Sequence, residues 1–216
     1  MKQRAVLWDM DGVLFDSEKA YMDGNIQVMR RLGYDQDEKN LYRVIGQDMN
    51  GLYAMLTELL DGYRTQDELK RAIDQYYCEH PLSFRSMLFP DVPASLRQMK
   101  ARGIKTAVCS GSPKETILQA LRECDLTAYF DLVVSSDEVP LPKPHPDVYL
   151  EAAERLGVLA SACVVYEDST LGIEAGRRAG MRVIARKDDR YGQDQSQADR
   201  IVENSTAMLA ALDEED

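Results

Sequence analysis

The strongest constraint on this chain is a recurring unit. Short apolar runs recur, several of them after a basic helical turn that closes on glycine. The runs are Ala5–Trp8, Ile104–Cys109, Leu132–Ser135, Cys163–Tyr166 and Met181–Ala185. "MKARG" ends at Gly103 before the second run, "AERLG" ends at Gly157 shortly before the fourth, and "RRAG" ends at Gly180 before the fifth. Lys or Arg in a last helical turn complements the negative end of the helix dipole, and Gly accepts the left-handed C-cap conformation. Strand-like runs alternating with helices predict parallel strands covered on both faces. The chain therefore reads as a doubly wound α/β fold.

One interval breaks this rhythm. Between the first and second runs the pattern predicts helices at about 18–32, 37–45, 49–61 and 65–80. Thr65 followed by Glu68 is a capping-box pattern for the last of them. The interval reads as an all-helical insertion over residues 17–86, a cap domain, returning through Pro81–Pro90. Residues 1–16 and 87–216 then form the core. The polar stretch Lys187–Asp199 reads as a surface loop, and the terminal "DEED" as a solvated or frayed tail.

Composition narrows the partners. With 216 residues, 44% of them hydrophobic, the chain can bury one sizeable core with a substantial insertion. Lys plus Arg total 26 against 37 Asp plus Glu, a net charge of −11, which repels a phosphate backbone and argues against nucleic acid as a partner. A small anionic substrate remains open, since local lysines and metal ions override a net field. The four cysteines, Cys78, Cys109, Cys124 and Cys163, are scattered with no CxxC pair, and there are only two His, so no structural zinc site is expected. Cys109 and Cys163 read as core residues with reduced thiols, which points to the cytoplasm. The N-terminal apolar stretch meets Asp9 after four residues, too short for a signal peptide, and no later run is long enough to span a membrane. Oligomeric state is not written in the pattern, and a monomer is the working expectation.

In a doubly wound sheet, ligands bind beyond the carboxyl ends of the strands. Polar groups gather at those points. Asp9 and Asp11 follow the first run, and Ser110, Gly111 and Ser112 follow the second. Lys143, flanked by prolines, follows the third, and Glu167 and Asp168 follow the fourth. Carboxylates this dense need a cation. Mg²⁺ takes oxygen ligands in an octahedron at about 2.0–2.1 Å and keeps room for waters and substrate phosphate. Lys143 adds a fixed positive charge, and free N–H groups at the start of the helix after Ser110–Ser112 suit an anion. The set reads as a phosphoryl-transfer site. Asp9, at the strand end, is the better nucleophile; Asp11 can protonate a leaving alkoxide and then deprotonate water. Gly12 permits the tight turn that follows.

"DMDGVLFDSE", "CSGS", "KPHPDVY" and "EDSTLG" resemble the four ordered motifs of the haloacid dehalogenase-like hydrolases, in the branch with a helical cap inserted after the first motif. That branch holds β-phosphoglucomutases and sugar-phosphate or phosphoglycolate phosphatases. The resemblance implies a Rossmann-like core under a mobile cap. It implies Asp9 as nucleophile and metal ligand, and Asp11 as acid/base with its backbone carbonyl on Mg²⁺. It further implies Ser110 on the phosphoryl group, Lys143 steadying nucleophile and phosphate, and Asp168 on the metal with Glu167 direct or through water.

Departures from the pattern narrow the activity. Haloalkanoate dehalogenases lack the second Asp, so Asp11 favours phosphate esters. β-Phosphoglucomutases carry a His where this chain has Tyr21, and a cap-loop Arg where Val44–Gly51 has none, although Arg43 is nearby. The expected function is a Mg²⁺-dependent phosphatase acting on a small phosphorylated metabolite, foremost a sugar phosphate, through an aspartyl-phosphate. A phosphomutase stands second and a non-catalytic sugar-phosphate-binding module third. Asp16 and Glu18 are expected to cap or complement the first cap helix, His80 and His145 to be structural, and Trp8 to pack in the core.

Overall fold

The computed structural model describes residues 5–61 and 64–214. Strand β1 (Ala5–Trp8) leads into helix α1 (Ser17–Arg31), a 3-10 turn at Glu38–Val44, α2 (Met49–Leu59) and α3 (Gln66–Glu79). The chain returns through the short α4 (Phe84–Met87) and α5 (Val92–Ala101) to β2 (Lys105–Ser110). It then alternates through α6 (Lys114–Glu123), β3 (Leu132–Ser135), α7 (Asp147–Leu156), β4 (Cys163–Glu167) and α8 (Thr170–Arg178). It ends with β5 (Arg182–Arg186), β6 (Arg200–Val202) and α9 (Ser205–Asp213). All strand pairs are parallel, in the order β3-β2-β1-β4-β5-β6. Strand order reverses at β1, so the crevice beyond β1 and β4 is where this topology holds ligands.

Side chains alternate across the sheet as the pleat requires. Val6 and Trp8 pack with α5, α6 and α9, while Ala5 and Leu7 pack with α7 and α8. Trp8 is fully buried and meets the Tyr166 ring edge-on at 5.2 Å. Cys109 and Cys163 are free, buried core residues as the sequence suggested. Gly103, Gly157 and Gly180 all carry positive φ at the ends of α5, α7 and α8, which is the C-cap role read from the sequence.

The helical interval has a core of its own, built from Met22, Met29, Leu41, Tyr53, Leu56, Leu69 and neighbours. The Thr65–Glu68 capping box at α3 is formed. Residues before 86 already return to the α/β unit: Phe84 is in its core cluster, and its ring lies 5.4 Å from that of Phe15. The two connections run side by side, with the Asp16 amide donating to the Met87 carbonyl at 2.7 Å.

The sequence pattern differs from the structure mainly at the C-terminal side. Strand β6 has only three residues, two of them exposed, so it carries no apolar run to see. Helix α9 ends at Asp213, which pairs with Arg102, and Glu214 pairs with Arg200, so this part of the acidic tail is tied down at the surface. The last two tail residues and residues 1–4 lie outside the described residues. Among the described residues no helix is long and apolar enough to cross a membrane.

Candidate active site

Register builds the site. Trp8 pairs with Val108 on one side and Tyr166 on the other, so Asp9 falls level with Cys109 and Glu167. The Asp9 amide continues the ladder by donating to the Tyr166 carbonyl at 2.9 Å. Asp9, Ser110, Lys143, Glu167 and Asp168, which come from four separate loops, are all buried. Asp9, Glu167 and Asp168 each offer a carboxylate oxygen within 4.8 Å of the others.

Lys143 is the counter-charge. Its Nζ donates to Asp9 Oδ1 at 2.6 Å, to Glu167 Oε1 at 2.6 Å and to the Cys109 carbonyl at 3.2 Å. Burial opposes its charge, but Asp9 and Glu167 hold it well above the ordinary lysine range. Glu167 is saturated. Oε1 also accepts from the Tyr149 hydroxyl at 3.1 Å, and Oε2 accepts from the Asp168 and Ser169 amides and the Ser169 hydroxyl at 2.8–3.0 Å. Burial would raise Glu167, yet Lys143 and these donors bring it below its usual value. Burial has the opposite outcome at Asp9, which is pushed up to about 8 despite Lys143, with Glu167 and Asp11 adding to the rise. Asp168 is raised well above its usual value by burial and by Glu167, Glu18, Asp9 and Asp188. A buried acid cluster with one lysine is short of positive charge, and an all-oxygen donor set suits a hard divalent cation. The residues present therefore fit Mg²⁺.

Asp11 sits apart from that ion network. Ser17 Oγ donates to Oδ1 at 2.5 Å and Ser112 Oγ to Oδ2 at 2.8 Å. Burial raises Asp11, and these two hydroxyls only partly offset it. Ser110, the last residue of β2, accepts from the Ser112 amide at 3.0 Å. The helix that follows begins at Lys114 with Pro113 at the cap, so neither serine caps it by side chain. Two glycines are required by close approach. Gly12 has φ +77°, and a Cβ there would lie 2.0 Å from Asp168 Oδ2; at Gly172 it would lie 1.6 Å from Glu167 Oε1. Gly111 carries the seat of the helical unit: a Cβ there would lie 3.2 Å from the Gln47 carbonyl.

Several expectations need correction. Asp16 occupies the N-cap position of α1 but makes no side-chain cap bond; it accepts from Arg190 at 2.7 Å instead. Glu18 is in the first turn of α1, yet it lines the cavity, and burial with Asp11 and Asp9 nearby raises it well above its usual value. Spacing alone cannot show this, because the direction of α1 is set by the fold. The stretch Lys187–Asp199 is more than a surface loop. Gln195 is buried and its amide donates to the Asp168 carbonyl at 2.6 Å and the Arg186 carbonyl at 2.7 Å. Tyr191 reaches the helical unit and stacks edge-on to Tyr42 at 5.1 Å. A polar, glycine-containing stretch gives no sequence signal for any of these contacts. His80 stacks on Tyr76 at 4.4 Å, while His145 is exposed and does not line the cavity.

Above the acids, the helical unit and the core enclose a cavity of about 690 Å³, which Asp9, Asp11, Ser110, Gly111, Lys143 and Asp168 all line. A parallel sheet with an acid-and-lysine cluster at its carboxyl edge, beneath an inserted helical unit, is a Rossmann-like α/β architecture. The chain belongs to the haloacid dehalogenase-like hydrolase family, whose model matches residues 6–186. It is 34% identical over 182 residues to a phosphorylated carbohydrates phosphatase of Thermotoga maritima, covering 83% of each chain. It is 32% identical over 183 residues to hexitol phosphatase B of Escherichia coli, covering 83% of this chain and 82% of that one. In fold it is similar to a β-phosphoglucomutase of Clostridium difficile, with a TM-score of 0.82 at 19% identity, covering 97% of this chain and 96% of that one.

Proposed function

We propose that this chain is a Mg²⁺-dependent phosphatase of phosphorylated carbohydrates that works through an aspartyl-phosphate on Asp9. The observation that carries the reading is the division of labour between two aspartates. Asp9 lies in the lysine and acid cluster, and Asp11 is held outside it by two serine hydroxyls. The relatives named as carbohydrate and hexitol phosphatases support the substrate class.

Asp9 and Asp168, with the Asp11 backbone carbonyl, would hold the ion. Bound Mg²⁺ neutralises phosphate charge and orients the transferring group. Glu167, with both oxygens taken by five donors, positions Lys143 and the 168–169 backbone, or reaches the ion through water. An Asp9 carboxylate oxygen attacks phosphorus in line. Lys143, Ser110 and the Gly111 amide stabilise the equatorial oxygens. Asp11, raised by burial and so able to carry a proton, gives it to the departing alkoxide as the P–O ester bond breaks. The resulting Asp11 carboxylate then takes a proton from water, whose oxygen attacks the aspartyl-phosphate and releases phosphate and free Asp9. The cap loop seated on Gly111 keeps bulk water from this intermediate.

A phosphomutase is less well supported. Tyr21 stands where those enzymes resemble one another in a His, and Arg43 is exposed and outside the cavity lining. The test is Mg²⁺-dependent phosphate release from a hexose or hexitol phosphate by wild type and Asp9→Asn. Wild type is expected to release phosphate and Asp9→Asn to lose it. Equal rates overturn the nucleophile assignment, and isomerised sugar phosphate forming faster than free phosphate overturns the phosphatase.

A further inference from the structure

Between Lys187 and Asp199 one residue alone is buried, and it is polar. Gln195 is 7% exposed in a stretch whose other residues reach solvent. Holding such a stretch to the core needs only an apolar side chain, and burying an amide is unfavourable unless its groups are paired. This amide is paired in a particular way. Its Nε2 donates to the Asp168 carbonyl at 2.6 Å and to the Arg186 carbonyl at 2.7 Å, and its Oε1 accepts from the Asp188 amide at 3.4 Å.

Register explains where the amide sits. Strands β4 and β5 pair as far as Glu167 and Ala185, and the next position of that ladder would join Asp168 to Arg186. The ladder stops there because Ser169 caps α8 and the chain turns into the helix. The Gln195 amide bridges the carbonyls of the two residues that part, a ladder rung made by a side chain. The same segment also grips Thr170, whose amide donates to Gln193 Oε1 at 2.9 Å and whose Oγ1 accepts from the Asp194 amide at 2.8 Å. The Asp168 backbone is thus held on both sides, its amide by Glu167 Oε2 at 2.8 Å and its carbonyl by Gln195. Lys143 gives the Asp168 carboxylate no such support, since it bonds Asp9 and Glu167 instead. The backbone therefore decides where that carboxylate stands in the acid cluster.

We infer that Gln195, with Gln193 beside it, is a positioning residue for the metal ligand Asp168, and that this segment sets the affinity of the site for Mg²⁺. Metal–oxygen distances tolerate only about 0.2 Å, and Mg²⁺ demands a near-ideal octahedron, so a loosened ligand backbone is felt first in binding. Groups that hold a ligand from behind ordinarily govern affinity by about 10- to 100-fold. The inference rests on the reading of Asp168 as a Mg²⁺ ligand. It adds a residue 27 positions further along the chain, outside the four loops that form the site.

The test follows metal binding to the full chain without substrate. Mn²⁺, which takes the same octahedral oxygen set, is titrated in and the free ion is counted by electron paramagnetic resonance. Gln195→Met keeps the length of the side chain and removes the amide; its Kd for Mn²⁺ is expected to rise about tenfold or more. Gln193→Ala, at a half-buried position, is expected to move Kd the same way by a smaller factor. Thr106→Val is the control for stability alone. It deletes a buried hydroxyl that donates to the Tyr129 carbonyl near the opposite end of β2, and should lower Tm while keeping the wild-type Kd. In hydrolysis of p-nitrophenyl phosphate, the Mg²⁺ concentration for half-maximal rate should rise with Kd. A Gln195→Met chain that melts lower yet binds Mn²⁺ as wild type does would make Gln195 a structural tie only, and the inference falls while the phosphatase stands. If Gln195→Met does not fold, Gln193→Ala decides, and a wild-type Kd there overturns the inference. If wild type binds the ion but releases no phosphate, the phosphatase falls and a raised Kd in the variants still supports the positioning role. If wild type binds no ion, the metal reading falls and the inference with it.

Discussion

Asp9 and Asp11 are the same residue type two positions apart, and their different surroundings underlie the different roles proposed for them. Asp9 shares Lys143 with Glu167, whereas Asp11 has only two hydroxyl donors. Asp11→Asn keeps the shape of the site and removes the transferable proton. It is expected to lower kcat for an alkyl phosphate by about 10²- to 10⁴-fold. The loss in the phosphorylation step should be smaller for p-nitrophenyl phosphate, whose leaving group needs no proton; pre-steady-state release of p-nitrophenol measures that. Gly172 tests the support beneath. Its missing Cβ is what lets Glu167 stand where it does, 1.6 Å from where that atom would be. Gly172→Ala is expected to cost about 1–3 kcal/mol of stability by overpacking and to lower kcat by displacing Glu167 and Lys143. Thermal melts and steady-state kinetics read the two effects.

The element that the sequence pattern undervalues most is the connection between β5 and β6. Its polar composition describes its solvent face correctly and conceals three anchors. Gln195 fixes the carbonyl of Asp168, Arg190 binds Asp16 at the start of the helical unit, and Tyr191 packs on Tyr42 within it. This connection thereby touches the helical unit on the side that encloses the cavity. The Arg190–Asp16 pair is about two-fifths exposed on both sides, so it contributes at most about 1 kcal/mol, and the tyrosine pair about 0.5–1.5 kcal/mol. The double variant Arg190→Ala, Tyr191→Ala is expected to raise KM several-fold with a smaller change in kcat for hexitol phosphate. An unchanged KM in steady-state assays would overturn a role for these two contacts in shaping the cavity.

At the scale of the whole molecule, the buried acids link stability to pH and metal. Asp9 is raised from 3.8 to about 8 in the folded chain, so the folded state keeps a proton that the unfolded state has lost. Its contribution is full below about pH 4 and is lost as pH rises toward 8. Glu167 works the other way: its pKa is lowered, so its contribution is present above its ordinary value and lost on acidification. Without Mg²⁺, Tm is therefore expected to fall between about pH 5 and 8, where Glu167 is already ionised. Added Mg²⁺ should raise Tm, and more at pH 8 than at pH 5, because the ion takes the place of the proton. Calorimetry at the two pH values checks the sign.

Much of this was legible in the sequence because it is local. Strand β1 and strand β3 fall on the residues their apolar runs mark, the glycine C-caps stand where basic turns end, and the capping box at Thr65 is formed. Asp9, Ser110, Lys143, Glu167 and Asp168 could be named because strand ends in a doubly wound sheet converge whatever the loops do. Tertiary structure alone decided how the charges divide and what surrounds them. Glu18 faces the cavity rather than only complementing a helix, Asp16 serves Arg190, and Gln195 reaches Asp168 across 27 residues of chain. Those contacts depend on where the helical unit and the α/β unit meet. No pattern of period two or 3.6 carries that information, because periodicity records only which face of an element is buried.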